Sequence, residues 1–192
     1  RGVLGRDDVS PQHDMGAEYT SLSGDTILFH YWKRSFQLNH LTALYKRSLA
    51  VSAGFYQTDI ISSDFESLLK LLPRKKVIFC PRTVAMWRRH NENISAELNI
   101  EKRFHNISYV DNVYCYLKDH NFYFLVMRHY WRTRMLYYRI RSTFAVFIRR
   151  GEKSDLYKLW KMVIKKYRLI GFCASLDVRN LYHFISSLNA KE

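Results

Sequence analysis

Apolar and polar positions repeat along this chain with a changing period, and each change of period predicts an element. Ser63-Asp64-Phe65-Glu66 has the form of a capping box, with Ser63 as N-cap and Glu66 placed to reach back to the open backbone amide. The helix that follows carries Leu68, Leu69, Leu71 and Leu72 toward a core and stops at Pro73, which cannot continue it. Residues 77–79 and 83–87 are short β-branched or aromatic runs and predict strands. The second run carries Arg88, Arg89 and His90 at its carboxyl end, where sites on open α/β sheets lie. Residues 26–32 fit a buried strand or the start of a helix, and periodicity does not choose between them.

The second half is helical in period. Ile100, Phe104, Ile107, Val110, Val113, Tyr114 and Leu117 recur at spacings of three and four across residues 97–120. Across residues 122–150, Phe122, Leu125, Val126, His129, Leu136, Ile140, Phe144 and Phe147 share one stripe of amphipathic width, bordered by Arg128, Arg132, Arg139 and Arg150. A further helix is expected over residues 155–170, capped by Ser154, ended by Gly171 and apolar along Leu156, Leu159, Trp160, Val163, Tyr167 and Ile170. Two accounts of these helices stand side by side. Either basic faces are solvated over a protein core, or arginine stems and the aromatic stripe lie in a membrane interface.

Composition narrows the classes. With 192 residues, 47% hydrophobic and 16% aromatic, the chain has the material for a real core and is not a disordered sequence. Its net charge of +14 is uneven: residues 118–192 hold 16 Lys and Arg against 5 Asp and Glu, so +11 of it falls there. That surplus admits nucleic acid, an anionic membrane surface or phosphorylated substrates as partners. Cys80, Cys115 and Cys173 are far apart and odd in number, which argues against a disulfide framework or a zinc cluster and favours a reducing, cytoplasmic compartment. No apolar run reaches spanning length and the first residues lack a signal-peptide pattern. The expected localisation is therefore cytoplasmic, with peripheral attachment to the cytoplasmic membrane face through the basic helices.

Four pieces in order carry a resemblance: Leu44-Tyr45-Lys46-Arg47-Ser48, Ala53-Gly54-Phe55, Ser63-Asp64, and Trp87-Arg88-Arg89-His90-Asn91-Glu92-Asn93-Ile94-Ser95. Over about residues 36–96 the chain resembles the inverting family-two glycosyltransferases of the GT-A fold. The resemblance implies an α/β, GT-A-like (nucleotide-diphospho-sugar transferase) partial domain over residues 1–117, its acceptor-side half, followed by an all-α basic extension over residues 118–192. It also implies that a nucleotide-binding half ending in an Asp-x-Asp motif precedes most of this chain, which opens on Arg1. The implied activity is transfer of a sugar from a nucleotide-sugar donor to a hydroxyl of a glycan or lipid-linked acceptor, with inversion, in building a surface polysaccharide or lipopolysaccharide.

By the same resemblance Asp64 is the general base, Arg88 and Arg89 lie near the donor diphosphate, and His90 joins Asp7 and Asp8 in holding a divalent cation, manganese or magnesium. Each residue also has a plainer account. Asp64 complements a helix dipole, Gly54 is either a close approach to ligand or a turn glycine, His90 is a polar strand-end residue, and Asp7-Asp8 before Ser10-Pro11 is a turn signal. Asn93-Ile94-Ser95 and Asn106-Ile107-Ser108 match the glycosylation sequon and are expected to be turn and cap residues. The rival classes are a basic nucleic-acid-binding module, for which no recognition motif is present and no specific nucleic acid is expected, and a non-catalytic membrane-associated domain.

Overall fold

The computed structural model describes residues 19–31, 42–80, 99–150 and 153–177. In chain order the elements are β1 (Thr20–Ser23), α1 (Gly24–His30), α2 (Arg47–Ser52), α3 (Ser63–Leu71), β2 (Lys76–Phe79), α4 (Ile100–Asn106), α5 (Tyr109–Asp119), α6 (Leu125–Arg150) and α7 (Lys153–Ser175). Among the described residues the sheet is one antiparallel pair, with Thr20 opposite Phe79 and Ser23 opposite Lys76. The second expected strand, residues 83–87, lies outside the described residues.

Of residues 26–32, those described resolve toward helix, with α1 running to His30. Ser23 supplies the reason, because its hydroxyl accepts the Asp25 amide at 3.2 Å and caps α1, turning Ile27 and Leu28 into the core. Gly24 permits the tight junction between β1 and α1: its amide donates to the Lys75 carbonyl at 2.7 Å, and a Cβ there would stand 2.0 Å from the Leu72 carbonyl oxygen. α3 ends at Leu71, two residues before Pro73, as its sequence demands. Its start differs from expectation. Ser62, not Ser63, is the N-cap, and no capping box forms because the Glu66 side chain turns inward to other partners.

One core runs through the described chain, from Ile27 and Leu28 in α1 through Leu69 in α3 and Val113 and Leu117 in α5 to Leu136, Ile140, Leu159 and Val163 in α6 and α7. The helices after residue 117 thus pack onto the region before it. Trp131, fully buried, joins α6 to α1 by donating its indole N–H to the Leu28 carbonyl at 3.0 Å, an oxygen of the last turn of α1. Glu101 on α4 pairs with Lys158 on α7 at the surface.

The stripe expected on α6 divides. Phe144 and Phe147 are 3% and 1% exposed, within the protein core, so this part of the stripe is not the surface of a membrane-lying helix. Leu125 and Val126, in the first turn, are exposed instead. α7 also departs from expectation: it runs past Gly171, and its break falls at Arg168, with φ 44° and ψ −121°. Gly171 is buried just beyond that kink, where a Cβ would meet a Val163 methyl at 2.6 Å.

Phe147→Ala is expected to cost about 3–5 kcal/mol, the usual toll for emptying a packed aromatic site, and thermal melting followed by circular dichroism reads it. At the kink the signs oppose. Arg168→Gly should raise the melting temperature by about 2–4 °C by relieving a backbone conformation worth about 1 kcal/mol, whereas Gly171→Ala should lower it.

Candidate functional site

The segment between α2 and α3 is shaped first by a glycine. α2 closes in a Schellman motif: the Phe55 amide reaches the Ala50 carbonyl at 3.2 Å and the Gly54 amide reaches Val51 at 3.1 Å. Gly54 takes the left-handed conformation that this motif needs, with φ 65°. Its conformation therefore has a local cause in the helix end. The consequence is that the chain reverses there and presents Phe55 and Tyr56 as neighbours, with Tyr45 packed on Phe55 at 4.9 Å between ring centroids and Phe55 edge-on to Tyr56 at 5.9 Å.

α3 holds this aromatic group in place. The Tyr56 amide donates to the Ser67 hydroxyl at 3.1 Å, and that buried hydroxyl donates in turn to the Ser63 carbonyl at 2.8 Å. Asp64 lies one helical turn before Ser67, half-buried at the start of α3. Its Oδ1 accepts the Phe65 amide at 2.6 Å, one of the first-turn donors that has no intrahelical acceptor. Its other oxygen has no hydrogen-bond partner among the described residues. Burial, then the neighbouring Tyr45 and the Asp64 carboxylate, push the Tyr56 phenol above its ordinary range, so the phenol and the carboxylate are within electrostatic reach of each other.

Glu66, two residues on, has the opposite fate. It is 2% exposed, with Oε1 paired to Lys70 at 2.6 Å and Oε2 accepting from Thr58 at 3.0 Å and Asn112 at 2.9 Å. This acid is consumed by the fold. Asn106 is consumed as well: it is buried, accepts the Ser62 amide at 2.8 Å and donates to the Ser62 hydroxyl at 3.0 Å, so it serves as a clasp between α4 and the start of α3. Beside Asp64 in the chain, Phe65 packs tilted on Tyr31 at 4.7 Å and edge-on to Tyr109 at 5.4 Å, and the Arg139 guanidinium stands 5.1 Å from the Tyr109 ring centre. Complete burial pushes the Tyr109 phenol far above its ordinary range, so it stays neutral.

Of the site residues expected from sequence, Gly54 and Asp64 fall among the described residues: Gly54 turns the chain into Tyr56, and Tyr56 lies within electrostatic reach of Asp64. Arg88, Arg89, His90, Asp7 and Asp8 lie outside the described residues, as does Asn93. Among the described residues no three His, Cys, Asp or Glu side chains converge as a metal ligand set. All three cysteines are free and exposed. Sequence reasoning missed the platform of Tyr45, Phe55 and Tyr56. The only signal for it was the Gly-Phe-Tyr run directly after a helix end. Among known proteins, no family model, no curated sequence and no solved structure matches this chain.

The two acids should separate in a stability measurement. Glu66→Ala strands Lys70 in a buried site and is expected to cost about 3–5 kcal/mol in urea unfolding. Asp64→Asn keeps an acceptor for the Phe65 amide and should stay within about 0.5 kcal/mol of the parent.

Proposed function

We propose that this chain carries the acceptor side of an inverting glycosyltransferase, which moves a sugar from a nucleotide-sugar donor to a hydroxyl of a glycan or lipid-linked acceptor. The observation that carries the reading is the contrast between two acids on one helix turn. Asp64 keeps a carboxylate oxygen uncommitted beside an aromatic platform, while Glu66 spends both of its oxygens inside the fold. Inverting transfer needs one base, not the pair a glycosidase uses. A single accessible carboxylate next to rings that can seat the apolar face of a sugar supports that chemistry.

In this mechanism the Asp64 carboxylate takes the proton of the acceptor hydroxyl as that oxygen attacks the anomeric carbon from the face opposite the leaving group. The bond from the anomeric carbon to the diphosphate oxygen breaks, and the nucleoside diphosphate departs with the electron pair. Tyr45, Phe55 and Tyr56 orient the acceptor so that its oxygen meets Asp64. Arg88 and Arg89 would bind the donor diphosphate, and Asp7, Asp8 and His90 would hold a manganese or magnesium ion that neutralises it. The product would enter a surface polysaccharide or lipopolysaccharide.

In the full-length protein, Asp64→Asn is expected to lower kcat by about a hundredfold or more with donor affinity retained, as loss of a general base does. Tyr56→Ala should instead raise the acceptor KM with a smaller change in kcat. Turnover unchanged in Asp64→Asn would remove this residue from the reaction and the proposal with it.

A further inference from the structure

We infer that one end of the molecule is a membrane-docking surface, in which the first turn of α6 enters an anionic bilayer and a neighbouring basic cleft receives lipid phosphates. The inference stands apart from the transferase reading, since it uses none of the residues around Asp64. It starts from an exposed apolar turn: Phe124 is 82% exposed and Val126 78%, and Leu125 and Met127 beside them are also open to solvent. Four consecutive large apolar side chains in water are unfavourable in proportion to their area, and such patches mark places where something else covers them.

The backbone holds this turn out deliberately. Asn121 and Tyr123 both have positive φ, at 51° and 62°. Tyr123 is anchored by its phenol, which donates to Asp25, and its ring packs edge-on to Phe29 at 4.9 Å. The following residue, Phe124, is thereby directed away from the core that Phe29 and Tyr123 join. Strain of this kind persists where the surrounding structure over-determines it, and here it fixes the exit of the chain into α6.

The charge around the turn decides what covers it. Arg74 donates its amide to Asp25 at 2.7 Å and sets its guanidinium 5.3 Å from the Phe122 ring centre, so the basic run Arg74-Lys75-Lys76 lies beside the segment leading to Phe124. That run and the hydroxyls of Ser21 and Ser23 line an open cleft of about 440 Å³. Lys118, one turn before the segment, and Arg128, which donates to the Phe122 carbonyl at 3.4 Å, add two more cations. Asp25, the acid in the cleft, is already committed to Tyr123 and Arg74.

An apolar prow within a rim of cations is the pattern of an interfacial anchor, with side chains among acyl chains and lysines at the level of the phosphates. The alternatives fit less well. A second copy docked on the same patch would bring a like-charged rim against this one. Nucleic acid would gain from the lysines and could stack one base on Phe124, but Leu125, Val126 and Met127 beside it offer no aromatic face and would stay in water.

Sedimentation of the 192-residue chain with vesicles tests this. The protein should be retained by phosphatidylcholine vesicles that contain phosphatidylglycerol, released at about 1 M salt, where the screening length falls to about 3 Å, and held poorly by phosphatidylcholine alone. Phe124→Ser with Leu125→Ser should abolish retention while the melting temperature is unchanged, because both side chains are exposed. Lys75→Glu and Lys76→Glu should each weaken partitioning by about fivefold or more. Val126→Trp should gain fluorescence that lipids brominated in the acyl chain quench, which reads insertion directly. The inference is overturned if the serine variant is retained like the parent, or if Val126→Trp escapes quenching on bound vesicles. It is equally overturned if vesicles fail to hold the parent, whether the apolar turn then drives a concentration-dependent dimer or the chain binds single-stranded RNA or duplex DNA at physiological salt.

Discussion

The described fold depends most on one buried carboxylate. Glu66 carries a charge into the interface of α3 and α5, where leaving it unpaired would cost several kcal/mol, and its three partners come from three directions. Lys70 neutralises it from the next turn of the same helix, Thr58 reaches it from the segment before α3, and Asn112 reaches it from α5. Satisfying Glu66 therefore fixes that segment and both helices relative to one another. The net stability gained from the ion pair is small beside the cost of breaking it, since the desolvation of both charges offsets much of their attraction.

From that fixed frame the candidate site follows. With the segment held by Thr58 and by the bond from the Tyr56 amide to Ser67, the aromatic group of Tyr45, Phe55 and Tyr56 has one position, at the amino end of α3 where Asp64 lies. Two acids two residues apart on the same helix are thus given different work. The one facing α5 is paired inside the fold, and the other keeps one oxygen without a partner among the described residues, a division set by helix geometry rather than by residue type.

The basic second half illustrates how charge and burial are sorted. Its apolar positions are mostly spent on the seam of α6 and α7, and several of its cations lie over rings, such as Arg139 at Tyr109 and Lys166 at Phe104. The net charge is therefore a property of the outer surface, while the aromatic stripe through Phe144 and Phe147 belongs to the interior. A helix tip is different. At residues 124–127 no neighbouring element among the described residues supplies an apolar face, and the surface there combines apolar and basic character.

The sequence by itself determined the local features. Helix periods over residues 100–117 and 125–150, the stop before Pro73, the short strand at residues 76–79, the helix start near Asp64 and the turn at Gly54 all follow from side-chain period, cap chemistry and backbone freedom within a few residues. The tertiary structure alone decided which polar residue would be consumed. Glu66 fits a capping box on paper and does not do that work, because its partner Asn112 stands 46 residues away in the chain. Asn106, Ile107 and Ser108 close α4 and open α5 as turn and cap residues, but the bond of Asn106 to Ser62, 44 residues away, could not be read locally. Likewise α7 reads as ending at Gly171, but its break falls at Arg168, and Gly171 lies beyond it where a Cβ would meet Val163. A stripe of apolar residues states that a face is to be covered. Whether protein covers it, as at Phe147, or leaves it open, as at Val126, depends on which elements arrive from elsewhere, and that is long-range information no local pattern contains.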